Sequence, residues 1–302
     1  MIIVTYRKVF YVITGILAAL SVAALLVYGL NLSTEFTGGT FVQVQYENER
    51  PAREELIQAL TSVGLHDVSV RTAGEKGYDI RADVLSDDMR AVLPEVVQLN
   101  QTYPGVIERM SEVGPTIGKE LRTKAVYAIS LVLVAIMLFV AFVFRRVSRP
   151  VSSWVYGGIA LVALAHDVLI PLGFYALLGH YFGAQVDTLF VTAILTVLGF
   201  SVHDTIVVFD RVRENLKLNH EHNRHESFEL LVGRSLQQTL VRSVNTSVTV
   251  LLTLLALFFV GPESTQDFAL TLLVGIIAGT YSSIAIASPL LVTAEKYLVK
   301  RG

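Results

Sequence analysis

Ionisable side chains lie within long apolar stretches of this chain, where a membrane would normally exclude them. They are His166, Asp167, His203, Asp204 and Arg242. A charged side chain at the centre of a membrane span costs about 2.5–3.5 kcal/mol, so each of these residues is a candidate functional residue. An apolar surrounding favours the neutral form of a carboxyl group, whereas a nearby guanidinium favours the carboxylate. A change in the distance between Asp204 and Arg242 could therefore switch the carboxyl group between its two forms, which is the minimal part of a proton relay.

Two further polar residues share helical faces with this pair. Ser201 lies three residues before Asp204, and Asn245 lies three residues after Arg242, so each couple occupies one side of a helix. This spacing predicts a polar seam that is buried between helices and does not face lipid. Two other interpretations stay open: a static ion pair that locks helix packing, and an Arg242 side chain that only extends toward the membrane edge.

The His166–Asp167 pair lies deep in its apolar stretch. Counted from Trp154 at ~1.5 Å per residue, Asp167 lies about 20 Å into the span, near or past the midplane. Pro171 follows four residues later and cannot donate to the Asp167 carbonyl, which weakens the helix there. An interhelical hydrogen bond that fixes the bundle geometry is the favoured interpretation, with a supporting place in the polar seam as the alternative.

The elements that must position these residues are membrane-spanning helices. Of the 302 residues, 53% are hydrophobic and 17% are charged, which is too apolar for an ordinary soluble domain. A helix needs about 20 apolar residues to cross the hydrocarbon core. Six stretches are long enough: about 9–30, 125–144, 153–178, 186–209, 241–260 and 268–292. The first is longer than the apolar region of a signal peptide, so we interpret it as a retained helix.

The placement of lysine and arginine predicts the orientation. Basic residues precede the first stretch, fill the link between the second and third, lie between or just inside the fourth and fifth, and end the chain: Arg7, Lys8, Arg145, Arg146, Arg149, Arg211, Arg213, Lys217, Arg224, Arg234, Arg242, Lys296, Lys300 and Arg301. The links 179–187 and 261–267 contain none. Because basic links remain in the cytoplasm, we expect residues 1–30 to form a cytoplasmic N-terminus and the first span. We then expect 31–124 to be an extracytoplasmic domain, 125–292 to contain spans two to six with a cytoplasmic loop at about 210–240, and 293–302 to be cytoplasmic.

Residues 31–124 show the pattern of a small α+β domain. Alternating segments rich in β-branched and aromatic residues predict strands at 41–46, 67–72 and 78–84, and a fourth at 105–110. One helix follows Pro51 and ends at Gly64, and a second begins after an N-cap at Ser86. This βαββαβ order is that of the ferredoxin-like fold, which hosts many functions and names none.

Other features exclude some functions and leave others open. The chain has no cysteine, and its net charge of −2 offers no basic surface for nucleic acid. The histidines His220, His222 and His225 fit no standard metal spacing, so we predict a solvated loop, no metal site and no cofactor.

Gly38 and Gly39 indicate either a close backbone approach or, as spacing alone favours, a linker. Gly114 and Pro115 predict a turn before the second span, and a short Gly-x-x-x-Gly at 275–279 suits close helix contact.

Several segments resemble one family in the order in which they occur. The segment LGFSVHDTIVVFDRVREN at 198–215 is similar to the fourth-span signature of the SecF family of protein-export subunits. ALAHDVLI at 163–170 resembles that family's third span, and SLQQTLVRSVNTS at 235–247 its entry into the fifth. EFTGG at 35–39 and VGPTIG at 113–118 resemble its two flanking motifs of the outer domain. The family's usual Gly-x-Asp-Phe-x-Gly-Gly is Ser33-Thr34-Glu35-Phe36-Thr37-Gly38-Gly39 here, so an acid is retained as Glu35 and the first glycine is replaced.

The resemblance implies a function in protein export at the bacterial plasma (inner) membrane. SecF pairs with SecD in an assembly that is related to the resistance-nodulation-division exporters. This assembly associates with the SecYEG channel and often with YajC. It uses a proton gradient, or a sodium gradient in some relatives, to help draw exported polypeptides across the membrane. Carried onto this sequence, Asp204 and Arg242 match the family's ion-pathway residues. His166 and Asp167 match its third-span pair, and Ser201, His203 and Asn245 would support the seam. The expected protein is an energy-coupling subunit and not an enzyme.

Two rival hypotheses belong to other classes. A half-size exporter of small molecules or lipids would need a substrate cavity and commonly a second repeat, whereas this sequence has one set of six stretches. An intramembrane hydrolase built on His166, Asp167, His203 and Asp204 lacks the His-Glu-x-x-His arrangement that orients metal ligands on one face. A transport assay on the isolated chain tests the first, and metal analysis tests the second.

Overall fold

A computed structural model describes residues 2–145, 150–222 and 226–299 of the chain. Six residues used above lie outside this part, namely Arg146, Arg149, Arg224, His225, Lys300 and Arg301. The helices are α1 (Ile2–Thr5), α2 (Arg7–Tyr28), α3 (Thr34–Thr37), α4 (Arg53–Ser62), α5 (Asp87–Val97), α6 (Pro115–Val143), α7 (Ser153–Phe182), α8 (Thr188–Glu221), α9 (Phe228–Val260), α10 (Glu263–Ser282) and α11 (Ser288–Val299), with a π-helical turn (Ser283–Ala287) between the last two. The strands are β1 (Gly39–Tyr46), β2 (Ser69–Ala73), β3 (Gly77–Ala82) and β4 (Gly105–Val113).

The chain divides into two compact units. The membrane unit comprises Met1–Leu30, Tyr127–Ala184 and Leu189–Gly302, and the sheet unit comprises Asn31–Val126 and Gln185–Thr188. The sheet unit therefore contains the start of α6 and the first residue of α8, in addition to the strands.

Among the described residues, six helical segments are long and apolar enough to cross a membrane, as the hydropathy of the sequence predicts. They are Arg7–Tyr28, Pro115–Val143, Ser153–Phe182, Thr188–Glu221, Phe228–Val260 and Thr265–Tyr297. Several extend beyond the predicted stretches. α6 begins ten residues before residue 125, and α8 and α9 are helical through most of the predicted 210–240 loop.

The sheet unit contains an antiparallel four-stranded sheet in the order β2-β3-β1-β4. The predicted strands and helices occur in the predicted order along the chain. Ser86 caps α5 by accepting a hydrogen bond from the Met89 amide at 3.3 Å, as its position before two aspartates predicts. The core forms where the buried faces of α4 and α5 meet the sheet, and includes Val44, Tyr46, Leu56, Leu60, Ile80, Leu93 and Val97.

Tyr46 ties the sheet to α5. Its hydroxyl donates to the Val97 carbonyl at 2.8 Å, and its ring packs edge-on against Tyr78 at 6.1 Å between centroids. Burial is the main reason that the pKa of Tyr46 is raised above its ordinary value. The neutral phenol is therefore the stable form in the core.

The membrane unit is held together by aromatic and aliphatic packing near one end of the bundle. Phe144 stacks on Tyr156 at 5.2 Å, and Phe209 meets both rings edge-on at 5.9 and 5.1 Å. These three buried rings join the end of α6 to α7 and α8. Edge-to-face pairs of this kind add about 0.5–1.5 kcal/mol beyond the area they bury.

Candidate functional site

Asp167 on α7 is the most completely buried carboxylate among the described side chains of the membrane unit. It has no exposed surface, and three side chains contact it. The Ser201 hydroxyl of α8 and the Ser282 hydroxyl of α10 both donate to Oδ2, the latter at 2.8 Å. His166 Nδ1 lies 3.0 Å from Oδ1. The hydrogen bond between helices that the sequence favours for this pair is therefore present, and it joins three helices.

Two glycines let α10 approach α8 closely enough for these bonds to form. A Cβ atom at Gly279 would lie 2.9 Å from the Cβ of Ser201, and one at Gly275 would lie 2.3 Å from a methyl group of Val197. Both distances are shorter than side-chain atoms tolerate. The close contact predicted from Gly-x-x-x-Gly is confirmed, and its second glycine contacts the serine that donates to Asp167.

A π-helical turn follows Ser282 directly. It covers Ser283–Ala287, and the Ser288 hydroxyl donates to the Ser283 carbonyl at 2.9 Å. The Ser282 hydroxyl has a second acceptor, the Gly279 carbonyl at 3.1 Å. Single π turns inside α-helices are frequent at functional sites because they shift the helical register locally. Ser282 therefore lies where the helix geometry changes.

The second nitrogen of His166 faces a different environment. Nε2 is buried and has no hydrogen-bond partner among the described residues. The imidazole ring tilts against Tyr281, with 6.0 Å between centroids. The Tyr281 hydroxyl in turn contacts α2, through the Thr14 hydroxyl at 3.1 Å and the Phe10 carbonyl at 3.3 Å. His166 and Tyr281 thus connect the first span with the hydrogen bonds at Asp167 that join α7, α8 and α10.

Asp204 on α8 is also buried, with 3% of its surface exposed, but its surroundings are poorer in donors. Within the described chain its Oδ2 atom forms no hydrogen bond of regular geometry, and neither does the Ser243 hydroxyl of α9, although the two side chains are close enough to interact. His203 and Arg242 are close enough to interact electrostatically with the carboxyl group. An unsatisfied carboxylate in an apolar bundle is costly, so this oxygen is suited to bind a proton or a donor from another molecule.

Three members of the predicted polar seam lie at the surface of the described chain. Arg242, Asn245 and His203 are exposed on the surface of this chain, and no ion pair joins Arg242 to Asp204 among the residues that the structure describes. The reason is the rotation of α9 about its axis, which turns Ser243 and Ser247 inward. The Ser247 hydroxyl contacts the Thr280 hydroxyl of α10 at 2.6 Å. Spacing alone could not tell these two polar faces apart.

In the sheet unit, the Glu35 carboxylate caps the start of α8. Its Oε2 accepts hydrogen bonds from the Thr188 amide at 2.9 Å and from the Thr188 hydroxyl at 2.6 Å. Gly38 and Gly39 have φ values of 82° and 116°, in the region that favours glycine. A Cβ at Gly38 would lie 2.8 Å from the Pro115 Cα. The close-approach interpretation therefore holds, and the linker interpretation does not.

The turn before α6 depends on its proline more than on its glycine. Pro115 is the first residue of α6, where its fixed φ suits the helix and its missing N–H is not needed. A Cβ at Gly114 would meet no atom within 4 Å, so packing does not require glycine there. Among residues 2–145, 150–222 and 226–299, no group of three or more His, Cys, Asp or Glu side chains is placed to hold a metal ion.

Ser282, Ser243 and Thr188 are site residues that sequence reasoning missed. For Ser282 a signal was present, because Ser282 and Ser283 interrupt the sixth apolar stretch and buried hydroxyls in membrane helices commonly bond neighbouring helices. For Thr188 no local signal exists, since its partner Glu35 is 153 residues away.

Comparison with known proteins points to a single family. The model of the SecD/SecF protein-export membrane protein C-terminal region matches residues 96–297, and the SecD/SecF GG motif matches residues 23–49. A protein translocase subunit SecF from Thermobaculum terrenum is 43% identical, covering 97% of this chain and 93% of the relative. The SecF subunit from Anaerolinea thermophila is 38% identical, covering 96% and 92%.

Solved structures give the same assignment. The crystal structure of SecDF from Thermus thermophilus, described as a translocon-associated membrane protein, matches with a TM-score of 0.84 and 36% identity. The match covers 97% of this chain and 38% of the SecDF chain. SecDF in a super-membrane-facing form matches with a TM-score of 0.68 over 98% of this chain. This chain thus corresponds to less than half of those longer chains.

Proposed function

Because this chain belongs to the SecF family of protein-export membrane proteins, we propose that it couples an ion gradient to the export of polypeptides as a subunit beside the Sec channel. Its curated relatives are named translocase subunits, and the matching SecDF structure is described as translocon-associated. The chain spans 38% of that SecDF chain. The remainder would come from a SecD-type partner, with SecYEG, and YajC where present, completing the assembly. The role is that of a coupling subunit and not of an enzyme.

For the sheet unit we propose a ferredoxin-like domain on the outer side of the plasma membrane, with both chain termini cytoplasmic. The element order βαββαβ and the strand order β2-β3-β1-β4 support the fold. The concentration of lysine and arginine in alternate links supports the orientation.

The observation that carries the coupling proposal is the unsatisfied oxygen of Asp204. Oδ2 forms no hydrogen bond of regular geometry in the described chain, and binding a proton would remove the charge from the apolar bundle. Arg242 on the neighbouring helix would favour the ionised form when it approaches. His203 is adjacent to Asp204 in the sequence and Asn245 lies three residues after Arg242; both are exposed, so they would line the route by which the ion reaches Asp204.

The energies suit a conformational switch. Each charge that crosses the membrane supplies about 2.3 kcal/mol per 100 mV, which is comparable with a gap of a few kcal/mol between two conformations. Proton release and binding at Asp204 would therefore bias α8 between two positions. The transported ion is H⁺ or Na⁺. The exporter of small molecules is the less favoured alternative, because the curated relatives are translocase subunits.

The test is the substitution Asp204→Asn in the chain assembled with its SecD-type partner and the Sec channel in sealed vesicles. We expect it to reduce gradient-dependent stimulation of export at least about tenfold while assembly is retained, because the amide cannot exchange a proton. Asp210→Asn is the matched control, since Asp210 is exposed on the same helix and forms an ion pair with Arg213. Full stimulation in Asp204→Asn would refute the proposal.

A further inference from the structure

The segment Asn31–Gly39 is bound to the residues that precede α8. Leu32 and Val186 form a parallel bridge. The Ser33 amide donates to the Val186 carbonyl at 2.9 Å, and the Val186 amide donates to the Asn31 carbonyl at 2.8 Å. All these residues belong to the sheet unit. The segment that follows the first span is therefore paired with the segment that opens the fourth.

Arg81 of β3 secures this pairing from the sheet. Its Nη1 donates to the Leu32 carbonyl at 3.3 Å, and Asp187 lies within electrostatic range of it. Burial lowers the pKa of Arg81 to about 10, so the guanidinium remains charged at neutral pH. The paired segments are thus attached to a strand as well as to one another.

Glu35 adds the contact that reaches the helix itself. The first amides of an α-helix have no acceptor within the helix, and a negative charge is favoured at that end. α8 begins at Thr188, and the Glu35 carboxylate accepts from both the amide and the hydroxyl of that residue. Glu35 itself lies in α3, three residues before Gly38 of the Gly38–Gly39 pair that leads into β1.

The glycines fix α3 against the start of α6 and against the sheet. A Cβ at Gly118 would lie 2.8 Å from the Gly38 amide nitrogen, and one at Gly39 would lie 2.7 Å from the Ala82 carbonyl oxygen. α3 therefore has little room to move independently of α6 or β3. A displacement of Thr188 has to move α3 and the sheet with it, or it has to break the bonds to Glu35.

We propose that Glu35 is a positioning residue that transmits movement of α8 to the sheet. The same helix carries Asp204 sixteen residues after Thr188, about 24 Å along its axis. A change in the protonation of Asp204 that shifts α8 would then pull on Glu35, α3 and β1. This inference rests on the proposed function of Asp204 and adds the residue through which that site acts on the sheet.

The experiment compares two variants that break the same contact from opposite sides. Glu35→Ala removes the acceptor. Thr188→Pro removes both donors, and proline is well tolerated at the first position of a helix, so α8 should still begin there. Glu54→Ala is the control, because Glu54 is an exposed acid in the first turn of α4 in the same unit. Each variant is prepared with and without Asp204→Asn, in the full chain assembled with its SecD-type partner.

Hydrogen–deuterium exchange of residues 31–46 is the readout. In the otherwise unaltered chain, and in Glu54→Ala, we expect Asp204→Asn to change the exchange of this segment by at least about twofold, as local opening follows the movement of α8. In Glu35→Ala and in Thr188→Pro the segment should no longer respond, while residues around Asp204 still do. Combining the two variants should add nothing further. Glu35→Gln keeps an acceptor oxygen and should restore part of the response, which a loss of folding would not allow.

Three outcomes separate this inference from the proposed function. If Asp204→Asn still alters residues 31–46 by the full amount in both Glu35→Ala and Thr188→Pro, transmission through Glu35 is refuted. The same holds if Asp204→Asn abolishes stimulated export but Glu35→Ala exports normally. If Asp204→Asn itself leaves export unchanged, the proposed function fails, whatever the Glu35 variants do.

Discussion

Two buried aspartates on neighbouring helices differ in how their carboxylates are satisfied. Asp167 accepts hydrogen bonds from hydroxyls on two other helices and contacts the imidazole of His166. Asp204 has an oxygen that forms no hydrogen bond of regular geometry in the described chain, beside a serine hydroxyl that also forms none. Both carboxylates are almost completely buried, so burial does not distinguish them.

The difference indicates separate functions for the two residues. A buried polar group that forms all its hydrogen bonds holds together the helices that supply its partners. Removing the group leaves several of those partners without a hydrogen bond. A buried carboxylate oxygen that lacks a hydrogen bond raises the free energy of the folded protein. Binding a proton or a donor from another molecule lowers that free energy. Asp167 is thus the residue that joins α7, α8 and α10, and Asp204 is the one available for ion binding.

The largest expected effect contrasts the same substitution at the two aspartates. Asp167→Ala should lower the free energy of unfolding of the membrane unit by about 3 kcal/mol, because Ser201 and His166 lose their side-chain acceptor and Ser282 loses one of its two acceptors. Asp204→Ala should change it by less than about 1 kcal/mol, since no bond at Oδ2 is lost. Denaturation of the purified chain in mixed micelles measures both. Equal losses in stability would remove the distinction drawn between the two sites.

The close approach of α10 to α8 offers the next test. Gly279→Ala places a methyl group 2.9 Å from the Ser201 Cβ and should cost about 1–3 kcal/mol, because the helices must separate and the Asp167 junction weakens. Gly158→Ala on α7 is the control, since its added methyl group would meet no atom within 4 Å. That variant should be unchanged or more stable by up to about 1 kcal/mol, the ordinary gain of alanine over glycine in a helix. A Gly279→Ala variant as stable as Gly158→Ala would show that the contact is unimportant.

The elements of both units follow from local patterns in the sequence. Six apolar stretches become six spans because each is long enough to cross the hydrocarbon core. The strands and helices around Val44 and Leu56 follow from periods of two and 3.6 residues. Helix ends were less predictable, since α8 and α9 continue past their apolar cores with residues that favour helices but carry charge.

The site could be predicted only by residue type. An ionisable residue within an apolar stretch of the sequence is a candidate functional residue, and this criterion identifies Asp167 and Asp204. Their partners depend on how each helix is rotated and on which helices are neighbours, and neither is encoded in spacing along one helix. α9 shows this most clearly, because it has polar residues on two faces and the one containing Arg242 turns outward. The Glu35–Thr188 contact depends on tertiary structure alone.

The smallest expected effect separates two serine hydroxyls that are buried to a similar degree. Ser201 donates to Asp167, whereas Ser243 forms no hydrogen bond of regular geometry in the described chain. Ser201→Ala should therefore cost about 1 kcal/mol of unfolding free energy, within the range measured for hydrogen bonds between membrane helices. Ser243→Ala should cost no more than a few tenths, because an unsatisfied hydroxyl contributes no bond that can be lost. Double-mutant cycles with Asp167→Ala and Asp204→Ala sharpen the result: Ser201 should couple strongly to Asp167, and Ser243 should couple more weakly to Asp204, which it contacts without a regular hydrogen bond. Equally strong coupling of the two pairs in the isolated chain would mean that Asp204 is satisfied internally and that its carboxylate is not free to bind an ion.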